Sequence, residues 1–334
     1  MAVSNVYYTN MRTTLTENLL QKLERLVKKA GMMDIDFNNK YTAIKIHFGE
    51  PGNLAYLRAN YSKVLVDLIR SQKGRVFLTD CNTLYVGRRK NALDHLDAAY
   101  ENGYNPFTTG CHIIIADGLK GTDEALVPID GEYVKEAKIG RAIMDADIVI
   151  SMTHFKGHEA TGFGGTLKNL GMGSGSRAGK MEMHNAGKPF VHTDTCIGCG
   201  ACPVDAVDSM CDEANDILNR KIAEYSLAVL KGRPNFHVSL VVDVSPNCDC
   251  HSENDAPIVP NVGMFASFDP VALDMACVDA VNRQPVLAGS FLAEQDHHSH
   301  DHFINTHPDT NWETCIDHAV KLGLGNKEYN LITI

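Results

Sequence analysis

Along the chain, short unbroken apolar runs alternate with longer stretches in which apolar positions recur every three or four residues. The first kind includes YTAIKIHF (41–48), GRVFLTD (74–80), CHIIIADGL (111–119), DIVISMTHF (147–155) and FHVSLVVDVS (236–245). The second includes LAYLRANYSKVLVDLIRSQ (54–72), YVKEAKIGRAIMDA (133–146) and DPVALDMACVDAVNR (269–283). The runs predict strands, the spaced patterns predict helices, and their alternation reads as βαβ. Strands as apolar as IIIAD and DIVIS need cover on both faces, so the expected fold is α/β, a mostly parallel sheet with helices on both sides. Asp269 and Pro270 predict the start of the last helix, as N-cap and first helical residue.

The stretch from about 153 to 211 breaks this alternation. It is rich in Gly, His and Cys, lacks apolar periodicity, and predicts inserted functional loops. The expected organisation is an α/β body in two parts, 1–190 and 212–334, separated by a small cysteine-rich insert at 191–211.

Composition narrows the partners. With 334 residues, 44% apolar and 22% charged, the chain can bury a sizeable core, while a formal charge of −10 repels phosphate backbones. Neither nucleic acid nor an anionic membrane is an expected partner. The N-terminus MAVSNVYYTN has no basic segment followed by an apolar run, and no stretch approaches the ~18 apolar residues of a spanning helix. A cytoplasmic location is expected. There, ten cysteines point to reduced thiols and metal ligands rather than disulfides.

Three of those thiols lie in DTCIGCGACPVDAV (194–207). Cys196, Cys199 and Cys202 have the C-x2-C-x2-C spacing of the first three ligands of a cubane iron–sulfur cluster, with Gly198, Gly200 and Ala201 leaving room for the thiolates to converge. A fourth cysteine would normally follow after three intervening residues, itself followed by a proline; here Pro203 follows Cys202 directly. Cys211, or the pair Cys248 and Cys250, could complete the set, and four thiolates in tetrahedral array would equally serve zinc. A cysteine-rich loop with nothing bound is the third alternative.

A second constellation follows the strand DIVISM: His154, Lys156 and His158, then Gly164, Gly165 and Lys168, with Arg177, Lys180 and His184 beyond. Open α/β sheets bind ligands at strand C-termini, and glycines let backbone N–H groups approach an anion. The spacing matches neither a P-loop nor a dinucleotide fingerprint. A pocket for a small anion is expected, with His154 or His158 transferring protons and Lys156 or Lys168 as an electrostatic clamp. His47, Glu50, Asp80 and Asp117 also end predicted strands and could face the same crevice. Cys248, Cys250 and His251 are weaker metal-ligand candidates, and the His-rich run 296–302 is expected to be a solvated loop.

Several of these segments together, IKIHFGEPGN (44–53), FLTDCNTLYVGRR (77–89), THFKGHEATGFGGTLKNLGMG (153–173), RAGKMEMH (177–184), SPNCDC (245–250) and ASFDPVALDMACVD (266–279), resemble the domain of unknown function 362 family, uncharacterised iron–sulfur centre proteins. The resemblance covers essentially the whole chain. It implies a ferredoxin-like insert, here shortened, and a 4Fe–4S cluster, and it supplies no settled reaction. The expected function is a redox or electron-transfer protein with an electron-transfer partner and a small anionic ligand. The alternatives are a metal-assisted or acid–base enzyme without a cluster, such as an isomerase or hydrolase, and a binding or metal-delivery protein without turnover.

Overall fold

A computed structural model of the chain describes residues 3–84, 86–184 and 213–334. Its strands are β1 (Ser4–Asn10), β2 (Tyr41–Lys45), β3 (Arg75–Asp80), β4 (His112–Ile115), β5 (Glu124–Pro128), β6 (Glu136–Gly140), β7 (Ile148–His154), β8 (Lys156–His158), β9 (Gly162–Gly164), β10 (Asn235–Val241), β11 (Gly263–Ser267) and β12 (Tyr329–Thr333). Eight of them form one sheet in the order β12-β1-β11-β10-β7-β2-β3-β4. Only β11 runs against its neighbours; the other pairings, including β10 with β7, β7 with β2 and β2 with β3, are parallel. The fold is therefore α/β with a mostly parallel sheet, and strands from both sides of the cysteine-rich stretch share it.

Both faces are covered, which is why β7 is buried along its whole length. On one side Ile44, Leu78, Ile150 and Leu240 meet Leu23, Leu26, Leu65 and Ile69 of the helices Leu19–Lys29 and Ala59–Ser71. On the other, Val149, Val241 and Phe265 meet Leu170, Ile222, Val271 and Ile316 of the helices Thr166–Ser174, Ala214–Leu230, Pro270–Asn282 and Glu313–Lys321. Each fully buried aliphatic side chain contributes about 1.5–3 kcal/mol relative to exposure. Asp269 caps its helix as expected, accepting from the backbone N–H of Val271 and Ala272 at 2.9 Å each.

Two expectations change. Residues 133–146 are not one helix but β6, paired antiparallel with β5, followed by the short helix Arg141–Asp145. Ala137 and Ile139 point inward while Glu136 and Lys138 point outward, which is the two-residue period of a strand. The described part of the supposed loop region, 153–184, is also regular: an antiparallel β8–β9 hairpin and the helices Thr166–Ser174 and Arg177–His184. It lacks apolar periodicity because glycine does the packing. A Cβ on Gly157 would lie 2.1 Å from the Pro246 carbonyl oxygen, and one on Gly171 2.2 Å from that of Ile222. Only the missing side chain lets these backbones approach. Among the described residues no helix is long and apolar enough to cross a membrane.

Candidate functional site

The C-terminal ends of β2, β3 and β7 converge on one cavity of about 50 Å³, lined by Lys45, His47, Asp80, Cys81, Arg89, His154, Lys156, Gly164, Gly165, Lys168, Lys180, Cys248 and Cys250 among others. This is where an open parallel sheet exposes its strand ends to a ligand.

Three cations on its wall are matched to carboxylates. Lys45, the last residue of β2, places Nζ 2.9 Å from Asp80 Oδ1 and donates to Asn169 Oδ1 at 2.8 Å. Burial resists ionisation of Asp80, but the neighbouring positive charge, that of Lys45 first, outweighs it and holds the carboxyl well below the usual carboxylate range. Arg89 donates from Nε to Glu50 Oε2 at 2.7 Å, from Nη1 to His47 Nε2 at 2.8 Å and from Nη2 to the Cys250 carbonyl at 3.4 Å. Burial and the Arg89 charge keep His47 well below the ordinary imidazole range. Lys156 Nζ lies 3.4 Å from Asp249 Oδ2 and donates to the His154 carbonyl at 3.0 Å.

Asp249 is the centre of a rigid loop. Fully buried, it accepts from His154 Nδ1 at 2.9 Å, while His154 Nε2 sits 2.7 Å from the Val242 carbonyl. Each ring nitrogen of His154 thus faces an acceptor, so both donate, and neither is left to exchange a proton with a ligand. His154 anchors the loop 245–251 against β7. The Glu50 backbone N–H donates to the Asp249 carbonyl at 3.0 Å and ties the same loop to β2.

The remaining wall has different chemistry. Lys168 Nζ donates to Cys248 Sγ at 3.2 Å. The hydrogen bond shared with Cys250, with Lys168 and His158 beside it, holds the Cys248 thiol well below its ordinary value, while Cys250 is pushed up by the same hydrogen bond and by burial. The two shifts run in opposite directions, so Cys248 is the thiol of the pair that ionises first. His158 Nδ1 accepts from the Ala160 and Thr161 N–H groups at 3.0 and 3.2 Å, which leaves Nε2 to carry the proton on the side that bonds the thiol. Lys180 Nζ donates to the Gly175 carbonyl at 2.6 Å, and its charge also favours the ionised forms of the buried Asp117 and Asp80.

The glycines play a steric part. A Cβ on Gly164 would lie 3.2 Å from Lys156 Cε, and one on Gly165 2.6 Å from Asp274 Oδ1. Asp274 accepts from the N–H groups of Thr166 and Leu167 at 2.6 and 3.0 Å. That helix start is already satisfied from inside the protein.

Of the residues expected from sequence, His154, Lys156, Gly164, Gly165, Lys168, Cys248 and Cys250 line this one cavity, with His47 and Asp80. His158 reaches it through Cys248. Glu50 acts on it through Arg89, and Asp117 lies behind it, accepting from the Asn82 N–H and side-chain amide at 2.9 Å each. His251 stands outside, Nε2 2.9 Å from Glu159 Oε1. Cys196, Cys199, Cys202 and Cys211 lie outside the described residues. His184, the last described residue before them, is pushed down to about 4 by burial first and by neighbouring positive charge, the Lys168 ammonium included. His297, His298 and His300 are exposed, as a solvated loop requires.

Sequence reasoning missed Lys45, Arg89, Asp249 and Glu159. Lys45 did carry a signal, a lone cation inside the apolar run YTAIKIHF, and so did Asp249, a carboxylate between two cysteines. Arg89 and Glu159 carried none.

The family model described as domain of unknown function (DUF362) matches residues 42–279. No curated protein matches the chain. Among solved structures, the lactate racemase apoprotein from Thermoanaerobacterium thermosaccharolyticum is similar at 15% identity and a TM-score of 0.45 over 72% of this chain and 51% of that one. A Thermotoga maritima protein from a structural-genomics crystal structure is similar at 15% identity and a TM-score of 0.44, over 82% and 60%. The chain thus spans about half the length of the racemase apoprotein.

Proposed function

We propose, for a chain that belongs to the domain of unknown function 362 family, a redox role in which the pocket at the strand ends holds a small anion and the cysteine run carries an iron–sulfur cluster. The observation that carries the reading is the lysine pair on one wall: among the described residues Lys168 bonds the Cys248 sulfur and Lys180 the Gly175 carbonyl, and neither ammonium makes an ion pair with a carboxylate. In a buried cavity a cation without a carboxylate is costly, and a bound carboxylate or phosphate would offset that cost. The helix Arg177–His184 supplies Lys180 and leads in sequence, within sixteen residues, to Cys196. Three thiolates at C-x2-C-x2-C spacing suit a cluster that passes single electrons, while the α/β body binds and orients the ligand.

Isothermal titration with acetate and with inorganic phosphate, on wild type and Lys180→Met, tests the pocket. Saturable binding by wild type, weakened at least ~10-fold in the variant as loss of one charge-assisted contact implies, supports it; equal affinity in both sinks it. Iron and sulfide analysis of anaerobically purified protein tests the cluster. Absence of both from protein with intact cysteines would leave the cluster-free acid–base enzyme as the reading, with His158 as its proton-transfer group.

A further inference from the structure

We infer that Cys250, His251 and Glu159 form a binding site for a borderline divalent cation of the zinc type, on the rim of the pocket and separate from the cysteine run. Their donor atoms, one sulfur, one imidazole nitrogen and one carboxylate oxygen, all lie within 4.8 Å of one another. Metal–ligand bonds of about 2.0–2.3 Å in tetrahedral array set ligand atoms roughly 3.3–3.8 Å apart, so closure asks about 1 Å of the widest gap. The residues able to move are the outer ones. Side chains of His251 and Glu159 are 30% and 40% exposed, whereas Cys250 is fixed and buried.

The chemistry selects the ion. Cys250 holds its proton in the metal-free chain and would release it on binding; the thiolate so formed and the Glu159 carboxylate together neutralise a dication, and a sulfur donor disfavours magnesium and calcium, which take oxygen. Three protein ligands leave a fourth position open, the arrangement of catalytic rather than structural zinc. Cys250 lines the cavity, so the ion would stand at its edge, within reach of an anion held by Lys168 and Lys180. The support behind the ligands is in place: the His251 N–H donates to the Cys248 carbonyl at 3.1 Å, Asn53 Nδ2 donates to the His251 carbonyl at 3.1 Å, and Arg89 holds the Cys250 carbonyl. Backbone restraint of this kind fixes a ligand set before the ion arrives.

None of the three ligands belongs to the cysteine run, so the test removes that run's thiols first. Cobalt(II) is titrated into the Cys196→Ser/Cys199→Ser/Cys202→Ser variant and followed by absorbance. One cobalt per chain, with a thiolate-to-cobalt charge-transfer band in the near ultraviolet, is expected. In that background Cys250→Ser should abolish the band and His251→Ala should weaken binding at least ~10-fold. A band that survives Cys250→Ser, or an affinity unmoved by His251→Ala, overturns the site, as does failure of the triple variant to bind cobalt while its circular dichroism spectrum remains native. Acetate and phosphate titrations of the same metal-free protein read the anion pocket separately.

Discussion

The two walls of the pocket use cations in opposite ways. On the β2–β3 wall and the hairpin, Lys45, Arg89 and Lys156 are matched to Asp80, Glu50 and Asp249 at 2.9, 2.7 and 3.4 Å. On the wall built by the helices Thr166–Ser174 and Arg177–His184, Lys168 meets a thiol sulfur and Lys180 a carbonyl. A buried pair matched in charge gives shape and rigidity but no field for a ligand, because each charge is spent on its partner. A wall whose ammonium groups make no ion pair with a carboxylate among the described residues gives less rigidity and, at Lys180, a positive field in a low-dielectric space. The first wall is therefore scaffold, and the second is the surface on which the proposed anion would bind.

The largest effect that breaks this comparison is removal of a carboxylate from the scaffold wall. Asp249→Ala leaves His154 and Lys156 buried without their acceptor, and stranding a buried charge costs about 3–5 kcal/mol. The urea midpoint should fall accordingly, and Asp249→Asn should recover only a part, since an amide oxygen accepts but carries no charge. A loss below about 1 kcal/mol, within the range of ordinary surface substitutions and modest core changes, would mean that the loop 245–251 is not held as described.

The same contrast explains what the sequence made legible. The sheet was readable because its strands are apolar on both faces, and the capped helix at Pro270 because Asp and Pro mark a helix start chemically. The cavity was readable in outline because His154, Lys156, Gly164, Gly165 and Lys168 all follow one strand. What escaped were pairings across distant segments. Glu50 and Arg89 are thirty-nine residues apart, and His154 and Asp249 ninety-five. Nothing local signals that such residues meet, so His154 read as a free proton donor when both its nitrogens are engaged. The helix Thr166–Ser174 was hidden for another reason: its buried face is partly glycine, and close backbone packing leaves no apolar stripe to count.

On the binding wall the opposite outcome is expected. Lys180→Met removes a buried cation that makes no ion pair with a carboxylate among the described residues, and with it the cost of burying an unpaired charge. Stability should stay within about 1 kcal/mol of wild type while anion affinity falls. A loss as large as that of Asp249→Ala would show that Lys180 is scaffold too, and the distinction between the walls would collapse.

The smallest effect concerns the proton shared by Cys248 and Cys250. The thiol that ionises first is Cys248, because the hydrogen bond from Cys250 and the ammonium of Lys168 both favour its thiolate. A group whose value is lowered in the folded state is charged from a lower pH upward, so folded protein should show thiolate absorbance at neutral pH that disappears on unfolding, where ordinary thiols are largely protonated. Lys168→Met removes the charge and leaves the neighbouring thiol, so the onset of that absorbance should move to higher pH without vanishing. His158→Phe should move it in the same direction, since the ring nitrogen that bonds the sulfur is lost. If the titration is unchanged in Lys168→Met, the ammonium is not directed at the sulfur and is free for the anion alone. If it moves as far as full protonation at neutral pH, the thiolate depends on Lys168, and an anion that draws the lysine away must raise the thiol's affinity for its proton by the same coupling.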